Sequence, residues 1–574
     1  MIESFHLHST GTGPPLRIGV MIDGSELIDP FAEVLRHIRD ADFAELALVI
    51  RHVPHAVGGD LTGSRPVRWA KALADPKRRR QLLYSRYLQW DAARNPAAAA
   101  TLDLVDCSDL FEGVPEVAVT PLGKGFVHRF PADALAEIRS RDLDVILRFG
   151  FNILKGEILD AARYGIWSYH HGDNDFYRGG PPMFWEVAED APLTGTILQV
   201  LNETLDAGLV LAKTLAPTEL GMSRAANLPA AYRAAEPMVI EKLQRLHERG
   251  WQAVQAEAVP AAPFQGRKKL YRTPDNREMV GFLGGKLGEA VRRRLARDPR
   301  LRHWQVALRP RAGHAPWEGT WRDFRWLRSP RGHYYADPFL FEHQGRAWLF
   351  VEDFPYADER GVIACAEIAA DGRVGEFRTV LDRPYHLSFP FVFQQDGSIW
   401  MIPEALRSGR VELYRATSFP FRWELDHVLF ERPGLDTILH VGEDGRHYFF
   451  TSLRNRPGAH AHLYLFTADD LHAPWRLHPA SPLSRDARYA RNAGALFQQE
   501  GTWVRPSQDT TLWYGRQTHF HAIERLTATE YREHLVGTRG AEWGDSLVGT
   551  HTYSHSARWE VIDGIALVDP MQRG

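Results

Sequence analysis

The spacing of apolar and polar positions changes character once along this chain. Up to about residue 250, short apolar runs alternate with stretches of helical period. Leu16 to Ile22 is a continuous apolar run and reads as a buried strand. Asp29-Pro30 follows as an N-cap with proline at the first helical position. Phe31, Val34, Leu35 and Ile38 then share one face of a helix running to about Asp40. Leu46 to Ile50 is a second strand, and this strand-helix-strand opening predicts a parallel sheet. Asp75-Pro76 opens a helix that reads through Trp90, with Leu83, Tyr87 and Trp90 as its apolar stripe. Val117 to Thr120, Asp144 to Arg148, Ile166 to Tyr169 and Thr194 to Val200 are further strands, with a helix from about Ala132. Residues 222–250 read as one or two helices.

After about residue 303 the segments become short, β-branched and aromatic, punctuated by Asp-Gly and Gly turns. One pattern recurs about every 50 residues. Ala336-Asp337-Pro-Phe leads through Gln344-Gly345 to Trp348-Leu-Phe-Val-Glu352. Ser388-Phe-Pro-Phe leads through Asp396-Gly397 to Trp400-Met-Ile-Pro-Glu404. Leu435-Asp436 leads through Asp444-Gly445 to Tyr448, and Asn492 leads through Glu500-Gly501 to Trp503-Val-Arg-Pro506. A weaker copy spans His551 onward, with Ile562-Asp563-Gly564 read as its turn. Such a period predicts an all-β propeller of five four-stranded blades. Between the two textures lies a segment rich in Ala, Gln and Pro, 252–275, then a helix of about Arg277 to Arg297 containing four glycines. The expected division is an α/β domain, 1–251; a linker with helix, 252–302; and the propeller, 303–574.

Composition narrows the function classes. An apolar fraction of 44% suffices for two cores in 574 residues. The net charge of −3 offers no field for nucleic acid or anionic membrane. Lys77 to Arg80 is a basic cluster, read as a solvated helix face with a phosphate or nucleic-acid patch as the alternative. Two cysteines, Cys107 and Cys365, exclude a disulfide scaffold and suit a reducing compartment. No basic-then-apolar leader and no run of about 18 apolar residues is present, so a cytoplasmic protein without a membrane span is expected. No glycine-rich phosphate fingerprint follows the first strand, so no dinucleotide site is assigned.

The chemistry concentrates in 165–208. A strand ends at His170-His171, a polar loop leads to Arg178-Gly179-Gly180-Pro181-Pro182, and Thr194-Gly195 and Leu205-Asp206-Ala207-Gly208 follow. A histidine at one strand end and an aspartate in a nearby loop meet where open α/β sheets place their ligands. In order and spacing this stretch resembles the formyltransferase superfamily, which includes methionyl-tRNA and sugar N-formyltransferases, and the likeness extends faintly over about 16–250. The resemblance implies an open, mostly parallel sheet, 10-formyltetrahydrofolate as donor and no metal. It makes His170 the group that polarises the formyl oxygen and Asp206 its partner. Gly150, Ile153 and Leu154 become donor contacts, and Arg178 and Gly179 substrate contacts. The asparagine of the resembled loop is Ser168 here, whose hydroxyl reaches about 1.3–1.5 Å less far than an amide. A water or Asn174 then substitutes, or the chemistry has changed, or it is lost. Asp173 and Asp175 beside the histidines also have the composition of a zinc or iron site, a reading the resemblance does not support.

The repeats resemble the five-bladed propellers of family 43 glycoside hydrolases. They resemble still more the propeller of plant glucosamine inositolphosphorylceramide transferases, through Ala-Asp-Pro-Phe, His386-Leu-Ser-Phe-Pro-Phe, Ile402-Pro-Glu404, Arg505-Pro-Ser-Gln-Asp509 and Gly549-Thr-His-Thr-Tyr553. Asp337, Glu352, Glu404, Asp436, Arg505 and Asp509 are its candidate substrate-binding residues, and the resemblance places a hydrolase base at Asp337. His386, His440 and His551 are further axial candidates, for packing or an ion. Together these readings predict formyl transfer from a folate to the amine of an amino sugar or glycan-linked acceptor held by the propeller. The alternative is a carbohydrate-active hydrolase or glycan-binding propeller with an altered formyltransferase-like scaffold.

Overall fold

The computed structural model describes residues 5–54, 76–123, 126–204, 207–295, 301–541 and 547–568. The chain forms two compact units: Met1–Ala296 with Arg454–His460, and Arg297–Leu453 with Ala461–Gly574. In the first unit seven strands make one sheet: β1 (Leu16–Ile22), β2 (Ala44–His52), β3 (Glu116–Val119), β4 (Val145–Arg148), β5 (Ile166–His170), β6 (Leu193–Val200) and β7 (Leu209–Pro217). Their order is β7-β6-β5-β4-β1-β2-β3. The five strands β5-β4-β1-β2-β3 run parallel, while β6 and β7 add antiparallel, so the sheet is mixed. The chain winds outward from β1 to β3, then returns to β4 on the other side of β1. That reversal opens a crevice at the carboxyl ends of β1 and β4.

Helix α1 (Asp29–Asp40) buries Val34, Leu35 and Ile38 against one face of the sheet. Asp29 is its first residue and not its cap; Ile28 is the N-cap, and the Asp29 carboxylate accepts from Arg456 at 2.6 Å. The other face is closed by Leu135 and Ile138 of α2 (Ala132–Arg139), with Leu154, Ile158 and Leu159. Residues 252–295, read as a connection, fold into this unit. Tyr271, Met279 and Phe282 pack on Tyr84, Tyr87, Phe184 and Trp185. The helix Asn276–Leu295 forms despite its glycines because that packing outweighs propensity. No helix among the described residues is long and apolar enough to cross a membrane.

The second unit is a five-bladed propeller, each blade an antiparallel sheet. Blade 1 begins with His333–His343, blade 2 with Ser388–Gln395, blade 3 with Leu435–Val441 and blade 4 with Arg491–Asn492. Blade 5 joins the two ends of the repeat array: Leu301–Pro310 pairs along its whole length with Trp559–Val568. Asp563 and Gly564 therefore lie inside a strand, opposite Val306 and Gln305, and not in a turn. The turn falls earlier, where Ser556 N–H donates to the Trp559 carbonyl at 2.8 Å. Val306, Val561 and Ile562 are fully buried at this closure, each contributing about 1.5–3 kcal/mol. The first strands of blades 1, 2 and 3 carry the same bulge, with left-handed φ at Asp337 (48°), Phe389 (47°) and Asp436 (46°).

Candidate functional site

In the first unit, β4 and β5 run side by side and their register sets Arg148 beside Ser168. Ser168 is buried at 2% exposure, with its Oγ accepting from Arg148 Nε at 3.0 Å and donating to the Tyr169 carbonyl at 3.2 Å. Arg148 Nη1 also donates to the carbonyls of Phe151 and Asn152, at 3.3 and 3.1 Å. The guanidinium thus joins the loop after β4 to the strand that carries Ser168 and His170. No sequence pattern marked Arg148, because its role comes from register between strands twenty residues apart. His170 closes β5, and its Nε2–H donates to the Tyr177 carbonyl at 2.7 Å. Asp206 lies outside the described residues.

The donor-loop candidates separate. Gly150 packs against β1, and a Cβ there would stand 2.5 Å from Asp23 N. Ile153 is half-buried and pairs with Val127. Leu154 is a core residue at 4% exposure, in one cluster with Phe130, Phe151 and Ile158. Arg178 holds its own loop: its Nε donates to the Asn174 carbonyl at 3.0 Å and its guanidinium lies 4.6 Å from the Phe264 ring centroid. Gly179 has φ 92°, and a Cβ there would fall 2.3 Å from the Tyr271 carbonyl. Asp173 and Asp175 share Lys213, whose Nζ lies 2.6 Å from each. That ammonium offsets one of the two negative charges in the pair read as a metal-site composition.

Beneath the same loop a small cavity is lined by His171, Tyr177, Trp185, Glu186 and Tyr271. His171 stacks on Tyr232 at 3.6 Å, and burial pushes its pKa down to about 3. Glu186 is 1% exposed, its Oε1 has no hydrogen-bond partner, and burial pushes its pKa up to about 8.

At the propeller axis, Asp337, Glu352, Glu404 and Asp436 come within electrostatic reach of one another. Arg491 binds Asp436 with two nitrogens at 2.6 and 2.9 Å and reaches Glu404 at 3.4 Å. Burial still raises Asp436 to about 7, with Arg491 opposing. Asp337 receives Thr552 Oγ1 at 2.9 Å and Phe389 N–H at 3.2 Å; burial raises it to about 6. Glu352 accepts from Tyr334 at 3.3 Å and is raised well above its ordinary value by burial and then by Asp337. His551 joins Asp563 at 2.6 Å and lies 3.5 Å from Asp337. Burial opposes its charge, but the two carboxylates outweigh it and raise its pKa. Ligand atoms of Asp337, His551 and Asp563 lie within 4.8 Å of one another, a spacing open to a metal ion as well as to this ion pair.

The other axial candidates each have partners of their own. Arg505 is fully buried inside its blade, held by Glu533 at 2.8 and 2.6 Å. Asp509 accepts from Thr511 N–H at 2.8 Å and from Gln517 at 3.1 Å. His440 packs on Trp503 at 4.3 Å, while His386 stands 3.6 Å from Glu352. Arg491 was not singled out in the sequence, since Arg-Asn before Ala-Gly carries no signal of its own.

The chain thus combines an α/β sheet with a formyltransferase-type order of residues at its carboxyl edge and a five-bladed propeller with an acidic axis. Residues 328–547 match the family described as "Glucosamine inositolphosphorylceramide transferase 1, N-terminal". Glucosamine inositolphosphorylceramide transferase 1 of Oryza sativa subsp. japonica is 35% identical over 246 residues, 41% of this chain and 33% of the rice protein. Its namesake in Arabidopsis thaliana is 34% identical over 206 residues, 35% of this chain and 27% of that protein. The chain therefore spans about a third or less of these relatives. Methionyl-tRNA formyltransferase of Agathobacter rectalis is 36% identical over 85 residues, 14% of this chain and 27% of that enzyme. Among solved structures, a family 43 enzyme from Xanthomonas citri complexed with xylotriose aligns with TM-score 0.32 and 14% identity, over 41% of this chain and 87% of that one.

Proposed function

We propose that the first unit transfers a formyl or related one-carbon acyl group from a folate donor, 10-formyltetrahydrofolate, to the amine of an amino sugar or glycan-linked acceptor in the cytoplasm. The propeller holds the glycan part of that acceptor. The observation that carries this reading is the Arg148 bridge between the loop after β4 and the strand bearing Ser168 and His170. The amine nitrogen bonds to the formyl carbon, the bond to the folate nitrogen breaks, and the proton leaving the amine ends on that nitrogen. Held by the bond from Nε2 to the Tyr177 carbonyl, His170 relays that proton between the amine and the folate nitrogen. The relatives named as transferases favour group transfer over hydrolysis.

The test incubates the full chain with 10-formyltetrahydrofolate and a panel of amino sugars, reading product mass. A formylated amine, with a melting temperature raised by the folate, supports the reading. No product and no folate-dependent shift removes it. A second reading is favoured by the raised carboxyls of Glu352 and Asp337: glycoside cleavage at the axis, with Glu352 as acid and Asp337 as base. Release of free sugar from a glycan panel, lost in Glu352→Gln, distinguishes it.

A further inference from the structure

We propose that the outer face of the helix Asn276–Leu295 docks on an anionic lipid surface. The inner face of this helix packs on its own unit: Met279 and Phe282 join the cluster of Tyr87 and Phe184, and Lys286, 6% exposed, is ion-paired with Asp190. Val280, Leu287, Val291 and Leu295 recur on the opposite side at helical spacing. They are 62, 64, 48 and 83% exposed, so a row of bare aliphatic side chains runs along the helix. Gly284 and Gly288 lie along the same row, and a Cβ at either would meet nothing within 4 Å. Arg277, Arg292 and Arg294 border the row, exposed and, among the described residues, without a hydrogen bond or ion pair. The acids of the helix are engaged with lysines: Glu278 takes Lys268 at 2.7 Å, and Glu289 lies 3.7 Å from Lys286.

The basic run Lys77 to Arg80 meets the same helix. Asn276 accepts from Leu83 N–H at 3.0 Å and donates to the Arg79 carbonyl at 2.8 Å. Those bonds set Arg79 and Arg80, also exposed and without partners among the described residues, beside the helix start. Uncompensated arginines around an aliphatic row are the composition of a helix that lies in an anionic interface. The apolar side chains leave water while the guanidinium groups meet headgroup phosphates and carboxylates. The net charge of −3 gives the whole chain no such attraction, so it has to come from this local cluster. A second copy packed through the glycines would bring arginine against arginine with no acid on the face to offset them. Nucleic acid fits less well, since the row offers no aromatic ring on which a base could stack.

The test sediments the full chain with vesicles of phosphatidylcholine containing phosphatidylserine, and with vesicles of phosphatidylcholine alone. Wild type is expected to bind the first about tenfold more tightly or better, and to be released as salt rises. Arg292→Glu with Arg294→Glu should weaken that binding by about tenfold or more, and Leu287→Ser with Leu295→Ser by about tenfold. Arg476→Glu, an exposed change in the propeller, should leave it unchanged. If either pair fails to fold, Arg79→Glu with Arg80→Glu carries the test, with an expected loss of about fivefold or more. Equal binding to the two kinds of vesicle overturns the proposal, as does phosphatidylserine-dependent binding that survives these substitutions. RNA binding without vesicle binding overturns it too, and so does a dimer that Leu287→Ser with Leu295→Ser dissociates while vesicles go unbound.

Discussion

The carboxyl edge of the sheet and the axis of the propeller reach a charged site by opposite routes. At the sheet edge the residues come from unrepeated strands and loops, and cations organise them: Arg148 is anchored on carbonyls and Lys213 holds Asp173 and Asp175. At the axis, acids on repeated strands meet Arg491 and His551. Repetition supplies an internal control that the sheet lacks. Asp337, Phe389 and Asp436 occupy the same bulge with the same left-handed backbone, yet only two carry a charge. Phe389, which tolerates that conformation poorly, shows that the bulge belongs to the fold and does not require an acid. The acids at 337 and 436 therefore call for a separate explanation, either in ligand binding or in pairing with His551 and Arg491.

The strongest way to break this contrast is Asp436→Ala. It leaves Arg491 nearly buried without its bidentate partner and should cost about 3–5 kcal/mol. Hydrogen exchange should rise in blades 3 and 4 and remain unchanged in the first unit. Unchanged exchange in those blades would mean the acid serves a ligand alone. Next in size is His170→Ala, expected to lower the transfer rate by about 10²–10³ with the fold intact. Turnover like that of wild type would remove the sheet edge as the reactive site.

The smallest effect concerns Glu186. Its folded pKa, about 8, stands above the ordinary 4.5, so the native state keeps the proton. The stability this group contributes is complete below pH 4.5 and is lost as pH rises through about 8. Glu186→Gln should therefore leave urea unfolding unchanged near pH 4.5 and stabilise the protein above pH 8 by about 1–3 kcal/mol. A gain of the same size at both ends of the range would mean that a lost bad contact, not a lost charge, explains it.

How far the sequence could be read follows from how each feature is encoded. Four blades were legible because each carries its own strands, turn and closing aromatic. The fifth was misread at Asp563-Gly564, a turn dipeptide in most settings. There Asp563 instead accepts backbone N–H groups of His551 and Thr552, while Gly564 passes close to the Trp326 ring. The order of His170, Arg178-Gly179 and Thr194-Gly195 was legible because sterics fix it, as at Gly179. Arg148 was not, since only strand register places it. The stretch 252–295 was read as a spacer from its Pro, Ala and Gly content, while its few anchors, Tyr271, Met279 and Phe282, decide its packing.

The pairing of Leu301–Pro310 with Trp559–Val568 has a consequence for synthesis. Roughly 250 residues separate the two strands, so at about 5–20 residues per second the first waits about 10–50 s on the ribosome for its partner. Through that interval its unpaired edge is open to any other β-strand nearby. A nascent propeller of this design should therefore draw on chaperones that shield edges, and crowded polysomes should favour exchange of the closing strand between neighbouring chains.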